Sequence, residues 1–302
     1  MRRRLIVRRW LLRGVYSLVA VGLAAGVVAR PFLGRVQAGS DPSLAASPAV
    51  NSESNTAVSP EVSTAVGRAK AEIAALRSGH PGVDVSVAAY NTVTGVTFSD
   101  GLENGITSAS VAKLDILLSA LLQATRQGRT LSASERRLSV PMITASNNAA
   151  AQALFTSIGG MRTLRDANNA FELTETKLDR HGRWGLTTTS ATDQIRLLRQ
   201  LVEEEALDQQ SRDYAVGLMK DVEGDQAWGV SAAADEGTAV ALKNGWLNVR
   251  ADGGRWAVNS VGIVTVNGKR VLLAVLTCHH KSLSAGTDFV EDLATTAARA
   301  VA

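Results

Sequence analysis

Ser110-Val111-Ala112-Lys113 places a hydroxyl and an amine three residues apart, at a point where a helical pattern begins. On a helix that spacing puts both groups on one face. A lysine amine so placed can take the serine proton and leave a nucleophilic oxygen. Lys113 alone among the seven lysines follows a serine by three residues. Two further short motifs each occur once, in order along the chain: Ser146-Asn147-Asn148 and Lys243-Asn244-Gly245. A lone serine–lysine pair is weak, since chance supplies about one in a chain of this size. Three unique motifs in sequence carry more.

The elements around them follow from hydropathy. Ser110 to Gln127 reads as a helix bounded by Gly128, with Leu114, Leu117, Leu118, Leu121 and Leu122 at helical spacing. Val111 and Ile116 widen that stripe beyond one face, so the helix is expected to be central and buried. Upstream, Ser59-Pro60 reads as a helix start, and Val83 to Ala89 and Val96 to Ser99 read as a pair of strands. Helical stretches continue to about Lys220. Strands then follow at Val240 to Val249, Trp256 to Val266 and Val271 to Cys278, with a hairpin turn at Asn267-Gly268. Asp288 to Ala300 closes the chain as a helix. The expected class is α+β: one antiparallel sheet built from both chain ends, flanked by helices, with an all-helical lobe inserted.

The three motifs together resemble those of class A β-lactamases and penicillin-binding proteins, the β-lactamase/transpeptidase-like serine hydrolases. Ile143 to Ala150 resembles the context of the second motif, and Ile158-Gly159-Gly160 follows it as in that family. Leu178-Asp179-Arg180 resembles the start of the family's Ω-loop, and Thr187-Thr188-Thr189 its end. The resemblance spans about Ser59 to Ala302. It implies that Ser110 attacks an amide or lactam carbonyl with Lys113 as base, and that Ser146 relays a proton to the leaving nitrogen. By the same resemblance Asn148 orients Lys113, and Lys243 holds Ser146 and attracts a substrate carboxylate. Asn244 would donate a hydrogen bond to that carboxylate, and the N–H groups of Ser110 and of Trp246, just after Gly245, would form the oxyanion hole. The implied partners are a β-lactam or a D-Ala-D-Ala-like peptidoglycan stem peptide, with no cofactor.

Four departures stand out. Asn147 replaces the usual aspartate and Asn244 the usual Thr or Ser. The stretch from Ser110 to Ser146 is short. The Ω-loop is shorter still, with His181-Gly182 after Arg180 and no acid before Thr189. The family's hydrolytic glutamate therefore has no counterpart there, and acylation without fast hydrolysis is expected. Asp179 is expected to pair with Arg180 or a neighbour. The other reading is a cell-wall binding or scaffold protein on the same fold that does not hydrolyse its ligand.

Composition narrows the setting. The 302 residues are 45% hydrophobic and 20% charged, enough for a sizeable core. The formal net charge is +4, but the first 38 residues hold eight arginines and no acid. The remaining 264 residues therefore carry −4, which excludes a nucleic-acid footprint. Gly14 to Ala29 is a run of 16 uncharged residues between Arg13 and Arg30. It reads as an export signal or an N-terminal membrane anchor, with a small-x-small site at Val36-Gln37-Ala38. Residues 1–38 are thus expected to export or anchor the protein. Residues 39–59 form a Ser/Ala/Pro-rich linker and residues 60–302 the hydrolase domain, an extracytoplasmic monomer. The single cysteine, Cys278, allows neither an internal disulfide nor a Cys-rich metal site. Cys278, His279 and His280 are consecutive strand residues whose side chains should alternate, so no metal is expected.

Overall fold

A computed structural model describes residues 59–203 and 206–302. The leader 1–38 and nearly all of the linker lie outside them. Helix α1 (Pro60–Ser78) starts as its sequence suggests: the Ser59 hydroxyl accepts from Val62 N at 3.3 Å, with Pro60 in the first turn. Strands β1 (Asp84–Asn91), β2 (Thr97–Gly101) and the short β3 (Ile106–Thr107) follow. The helical lobe comprises α2 (Ala112–Arg126), α3 (Ala133–Thr144), α4 (Asn148–Ser157) and α5 (Met161–Ala170), then, after the two-residue strand β4 (Thr188–Thr189), α6 (Ala191–Arg199) and α7 (Gln209–Lys220). Strands β5 (Ala241–Val249), β6 (Arg255–Val266) and β7 (Lys269–His280) lead to α8 (Leu283–Arg299).

The main sheet is antiparallel in the order β2-β1-β7-β6-β5, so the two chain ends meet where β1 pairs with β7. Both faces of β7 are buried, which is why it reads as an unbroken apolar run. Leu272, Ala274 and Leu276 join the core shared with the lobe, while Val271, Leu273 and Val275 pack with α1 and α8. The expected class and topology are those observed. Asn267 and Gly268 turn the β6–β7 hairpin with φ of 50° and 72°, as an Asn-Gly turn demands. Helix α8 begins five residues before the expected Asp288, because Ser282 caps it at Ala285 N. Gly286 disguised that turn; a Cβ there would press on the Val258 and His280 side chains.

Two features tie the lobe to the sheet beside Ser110. The β3–β4 ladder joins Ile106-Thr107 to Thr188-Thr189, the end of the short loop. Asn259, fully buried on β6, donates to the Thr107 and Ser108 carbonyls at 2.8 and 3.0 Å and accepts from Thr277 N at 2.9 Å. One amide thus satisfies three backbone groups and fixes the chain two residues before Ser110. Asn259→Ala removes a partner from all three, of which the Ser108 carbonyl still accepts from Val111 N at 3.2 Å, and each buried group left unsatisfied costs about 1–3 kcal/mol. We expect a loss of about 2–4 kcal/mol in urea unfolding; an unchanged midpoint would show that these bonds do not hold the turn.

Candidate active site

A 3-10 turn, Ala109–Val111, runs directly into α2. Ala109 sits at φ 50°, a left-handed conformation that disfavours any residue with a Cβ. Such strain persists only where the surroundings impose it. The turn places Ser110 at the head of the helix, where the first N–H groups have no intrahelical acceptor. Lys113 lies one turn on, fully buried, with its Nζ 3.0 Å from Ser110 Oγ.

The link between α3 and α4 closes on the same amine. Ser146 also has a left-handed φ, 51°. Asn147 caps α4, accepting from Ala150 N at 2.9 Å, which an amide oxygen does as well as the expected carboxylate. With that residue turned to the helix, its neighbours face Lys113. Lys113 Nζ lies 2.9 Å from Ser146 Oγ, 2.5 Å from Ser146 O and 2.8 Å from Asn148 Oδ1. From β5, the fully buried Lys243 Nζ reaches Ser146 Oγ at 3.0 Å and the Asn244 carbonyl at 2.8 Å.

Burial, not the number of neighbours, sets the protonation state. Four oxygens surround Lys113 Nζ, one more than the three hydrogen-bonding positions of an ammonium or of an amine. Ser146 O and Asn148 Oδ1 can only accept. A neutral amine donates to those two and leaves its lone pair to a hydroxyl, that of Ser110 at 3.0 Å or that of Ser146 at 2.9 Å. Burial lowers the Lys113 pKa to about 7, so this form is abundant at neutral pH. Burial, with Lys113 as a nearby cation, also pushes Lys243 well down. Among the described residues neither lysine has a carboxylate within ion-pair distance.

The third motif differs in part from expectation. Asn244 faces the opposite side of the sheet from Lys243. Its amide nitrogen donates to the Gln226 and Trp228 carbonyls at 2.8 and 3.1 Å, so both its hydrogens are taken and none remains for a substrate carboxylate. The Trp246 side chain faces the same way and packs on Trp228, so only its backbone can serve the site. Gly245 is required by contact: a Cβ would lie 2.6 Å from Val111 N and 2.7 Å from Ser110 N. Edge strand β5 therefore lies directly against the Ser110 turn.

The short loop packs on the site from the other side. Asp179 pairs with Arg183 rather than Arg180, at 2.8 Å, and the Arg183 guanidinium holds its carboxyl well below the usual range. The next residue, Trp184, sets its ring 5.4 Å from Lys113 Nζ and donates through Nε1 to Gln152 at 3.2 Å. Sequence reading missed Trp184, Gln152 and Asn259. Trp184 stands in the shortened loop, but nothing in its spacing aims it at Lys113.

A family model described as the beta-lactamase enzyme family matches residues 119–301. The chain belongs to this family. The match begins within α2, past Lys113, and runs almost to the C-terminus. Over 211 residues the chain is 29% identical to "Putative lipoprotein LppW" of Mycobacterium tuberculosis H37Rv and of Mycobacterium bovis. That alignment covers 68% of this chain and 65% of the length of those relatives. Among solved structures, an acyl-enzyme complex of a PBP-A variant with penicillin G is 19% identical with a TM-score of 0.66, covering 76% of this chain and 94% of that one. The TLA-1 extended-spectrum β-lactamase is 16% identical with a TM-score of 0.65, over 76% and 97% of the two chains. A β-lactamase from Burkholderia phymatum is 18% identical with a TM-score of 0.66, over 79% and 100%. At these identities the likeness establishes the fold, β-lactamase/transpeptidase-like, which is the one the motifs suggested.

Within this family member the buried amine has a consequence for stability. Lys113 titrates at about 7 when folded and about 10.4 when unfolded. Between those values the unfolded chain binds more protons, so stability rises with pH. Two other buried groups shift in ways that restrict the test. Asp115, raised to about 7 by burial, acts below this range, and Cys278, raised to about 12, acts above about 8.5. From pH 7.5 to 8.5 the unfolding free energy should rise by about 1 kcal/mol from Lys113 alone, with Lys243 adding to it. Lys113→Met should lose that share of the slope in urea titrations. An equal slope in both proteins would mean that Lys113 is charged in the folded state.

Proposed function

We propose that the domain is an exported serine acyl-transfer hydrolase that forms an acyl-enzyme at Ser110 with β-lactams or with D-Ala-D-Ala-like wall peptides. The observation that carries this reading is the 3.0 Å contact between Ser110 Oγ and the amine of a fully buried lysine. Lys113 takes the Ser110 proton as Oγ bonds to the carbonyl carbon, and the N–H groups of Ser110 and Trp246 receive the developing oxyanion. When the carbon–nitrogen bond breaks, Ser146 hands its proton to the leaving nitrogen and recovers one from Lys113. A substrate carboxylate beside Lys243 would favour its charged form again, so that Lys243 takes up a proton and pairs with that carboxylate. Asn148 keeps the Lys113 amine turned toward Ser110.

Deacylation is proposed to be slow. No acid lies between Arg180 and Thr189, and the Trp184 ring packs against the catalytic amine. General-base activation of water is worth roughly 10²–10⁴-fold, and no loop carboxylate is there to provide it. The resemblance to PBP-A in its penicillin G complex fits this reading. Export rests on the arginine-flanked apolar leader at 1–38 and on the lipoprotein relative. Attachment to a membrane would run through the leader. The linker at 39–59 would then space the hydrolase domain from the membrane face.

Fluorescent penicillin and intact-mass spectrometry test the proposal. Wild type should gain one ligand mass in a burst of one equivalent and then turn over slowly, and Ser110→Ala should gain none. An adduct that persists in Ser110→Ala would reject the nucleophile. No adduct in wild type would favour the non-hydrolysing binding protein. Turnover of a chromogenic cephalosporin at hundreds per second would reject slow deacylation.

A further inference from the structure

At the far end of β7, strand alternation fails. Cys278 faces the lobe side with Leu276, as its position requires. His280 faces α8, its Nε2 2.7 Å from Thr277 Oγ1 and its ring against Phe289. His279 should point away from Cys278, but its φ of 72° and a register shift opposite, between Trp256 and Val258, swing it round. All three consecutive residues do not converge, as expected, because His280 turns away, but the alternation assumed for them fails at His279, which meets Cys278. Both side chains meet Asp84, the β1 partner of Cys278. Asp84 Oδ2 lies 3.2 Å from His279 Nε2 and 3.9 Å from Cys278 Sγ, and the three ligand atoms all lie within 4.8 Å of one another. On the other side of the imidazole, Asp252 Oδ2 lies 2.5 Å from Nδ1.

We propose that Asp84, Cys278 and His279 form a binding site for a divalent transition ion of the zinc class, with Asp252 orienting the histidine. Three observations carry this. First, bond lengths of about 2.0–2.3 Å at tetrahedral angles place N and O about 3.3 Å apart, and S and O about 3.5 Å apart. The observed N–O and S–O separations, 3.2 and 3.9 Å, differ from these by a few tenths of an ångström, and with S and N within 4.8 Å of one another the His279 ring would close on the thiol as the ion binds. Second, a histidine that ligates a metal commonly donates its other N–H to a carboxylate. With Nδ1–H given to Asp252, the Nε2 lone pair faces a carboxylate oxygen, and two acceptors at 3.2 Å need a cation or a proton between them. Third, the left-handed residue that creates the convergence is a strained histidine, and such strain concentrates at functional positions. The mixed sulfur, nitrogen and oxygen set suits zinc better than calcium or magnesium. Asp84 and His279 are partly exposed, so the ion enters from solvent and water completes its shell. As the metal–sulfur bond forms, the thiol proton leaves to solvent. The ion would join β1, β7 and the β5–β6 connection that carries Asp252, tying the strand of Lys243 to the sheet's centre.

The full chain, reduced and stripped with a chelator, is titrated with Zn²⁺ alone and then with Co²⁺. We expect one equivalent to bind, a thiolate-to-cobalt charge-transfer band, and a higher thermal midpoint. Asp84→Asn and His279→Gln should each weaken binding at least tenfold, and Cys278→Ser should remove the band. Asp252→Asn should weaken binding but keep the band. Absence of stoichiometric binding, affinity unchanged in Asp84→Asn and His279→Gln, or a cobalt spectrum without the thiolate band would overturn the site. Circular dichroism of the metal-free variants separates lost ligation from lost fold. Should the buried Cys278→Ser fail to fold, the partly exposed Asp84→Asn decides.

Discussion

Two lysine amines share one serine hydroxyl with no carboxylate of the described residues within ion-pair distance, and the rest of the structure is arranged to make that tolerable. Burying an unpaired ammonium is expensive, and a protein avoids it by releasing the proton. Lys113 does this, with its pKa at about 7, and its two N–H bonds satisfy Ser146 O and Asn148 Oδ1. The energy that desolvation costs the charged form is what lowers the Lys113 pKa. An exposed lysine at the same spacing would hold its proton and leave Ser110 an ordinary alcohol. Lys243, equally buried, is left with a hydroxyl and a carbonyl as partners. A site built so has room for one more negative charge, and a substrate carboxylate would supply it.

Enclosing the amines requires three pieces of backbone to approach more closely than side chains allow. The Ser110 turn and the Ser146 link each hold a left-handed residue, Ala109 and Ser146. Gly245 lets β5 lie against the first turn of the helix, and Asn259 fastens the preceding residues to β6 and β7. These devices come from the sheet, the lobe and the link between two helices. The short loop contributes the Trp184 ring, which excludes water from one side of the amine. A loop of this length brings an indole to the buried amine and has no acid between Arg180 and Thr189.

Much of this was legible in the residues. The order of elements followed from hydropathy, and α2 declared its burial by apolar residues on more than one face. Ser110, Lys113, Ser146, Asn148 and Lys243 announced themselves by type and spacing. What stayed hidden depends on contacts between distant segments. Asn244 looks like a substrate donor by position, but strand pleating turns it to the opposite face, where two carbonyls take its hydrogens. Asn259 is one asparagine in an apolar strand, and only the fold brings the Ser108 carbonyl to it. Cys278 and His279 were misjudged because alternation assumes a regular strand, and a single left-handed residue reverses the inference. Gly286 read as a break although it is a packing contact inside α8.

The central claim is that Lys113 is a neutral amine at neutral pH because it is buried without an anion. The direct measurement is an NMR titration of the lysine ¹³Cε resonances in the unliganded protein, with Lys113 assigned by its loss in Lys113→Met. The account predicts that this one resonance titrates with a midpoint near 7, while the exposed lysines titrate near 10.4. A Lys113 midpoint above 9 would mean that the amine stays charged beside Ser110, and would contradict the account.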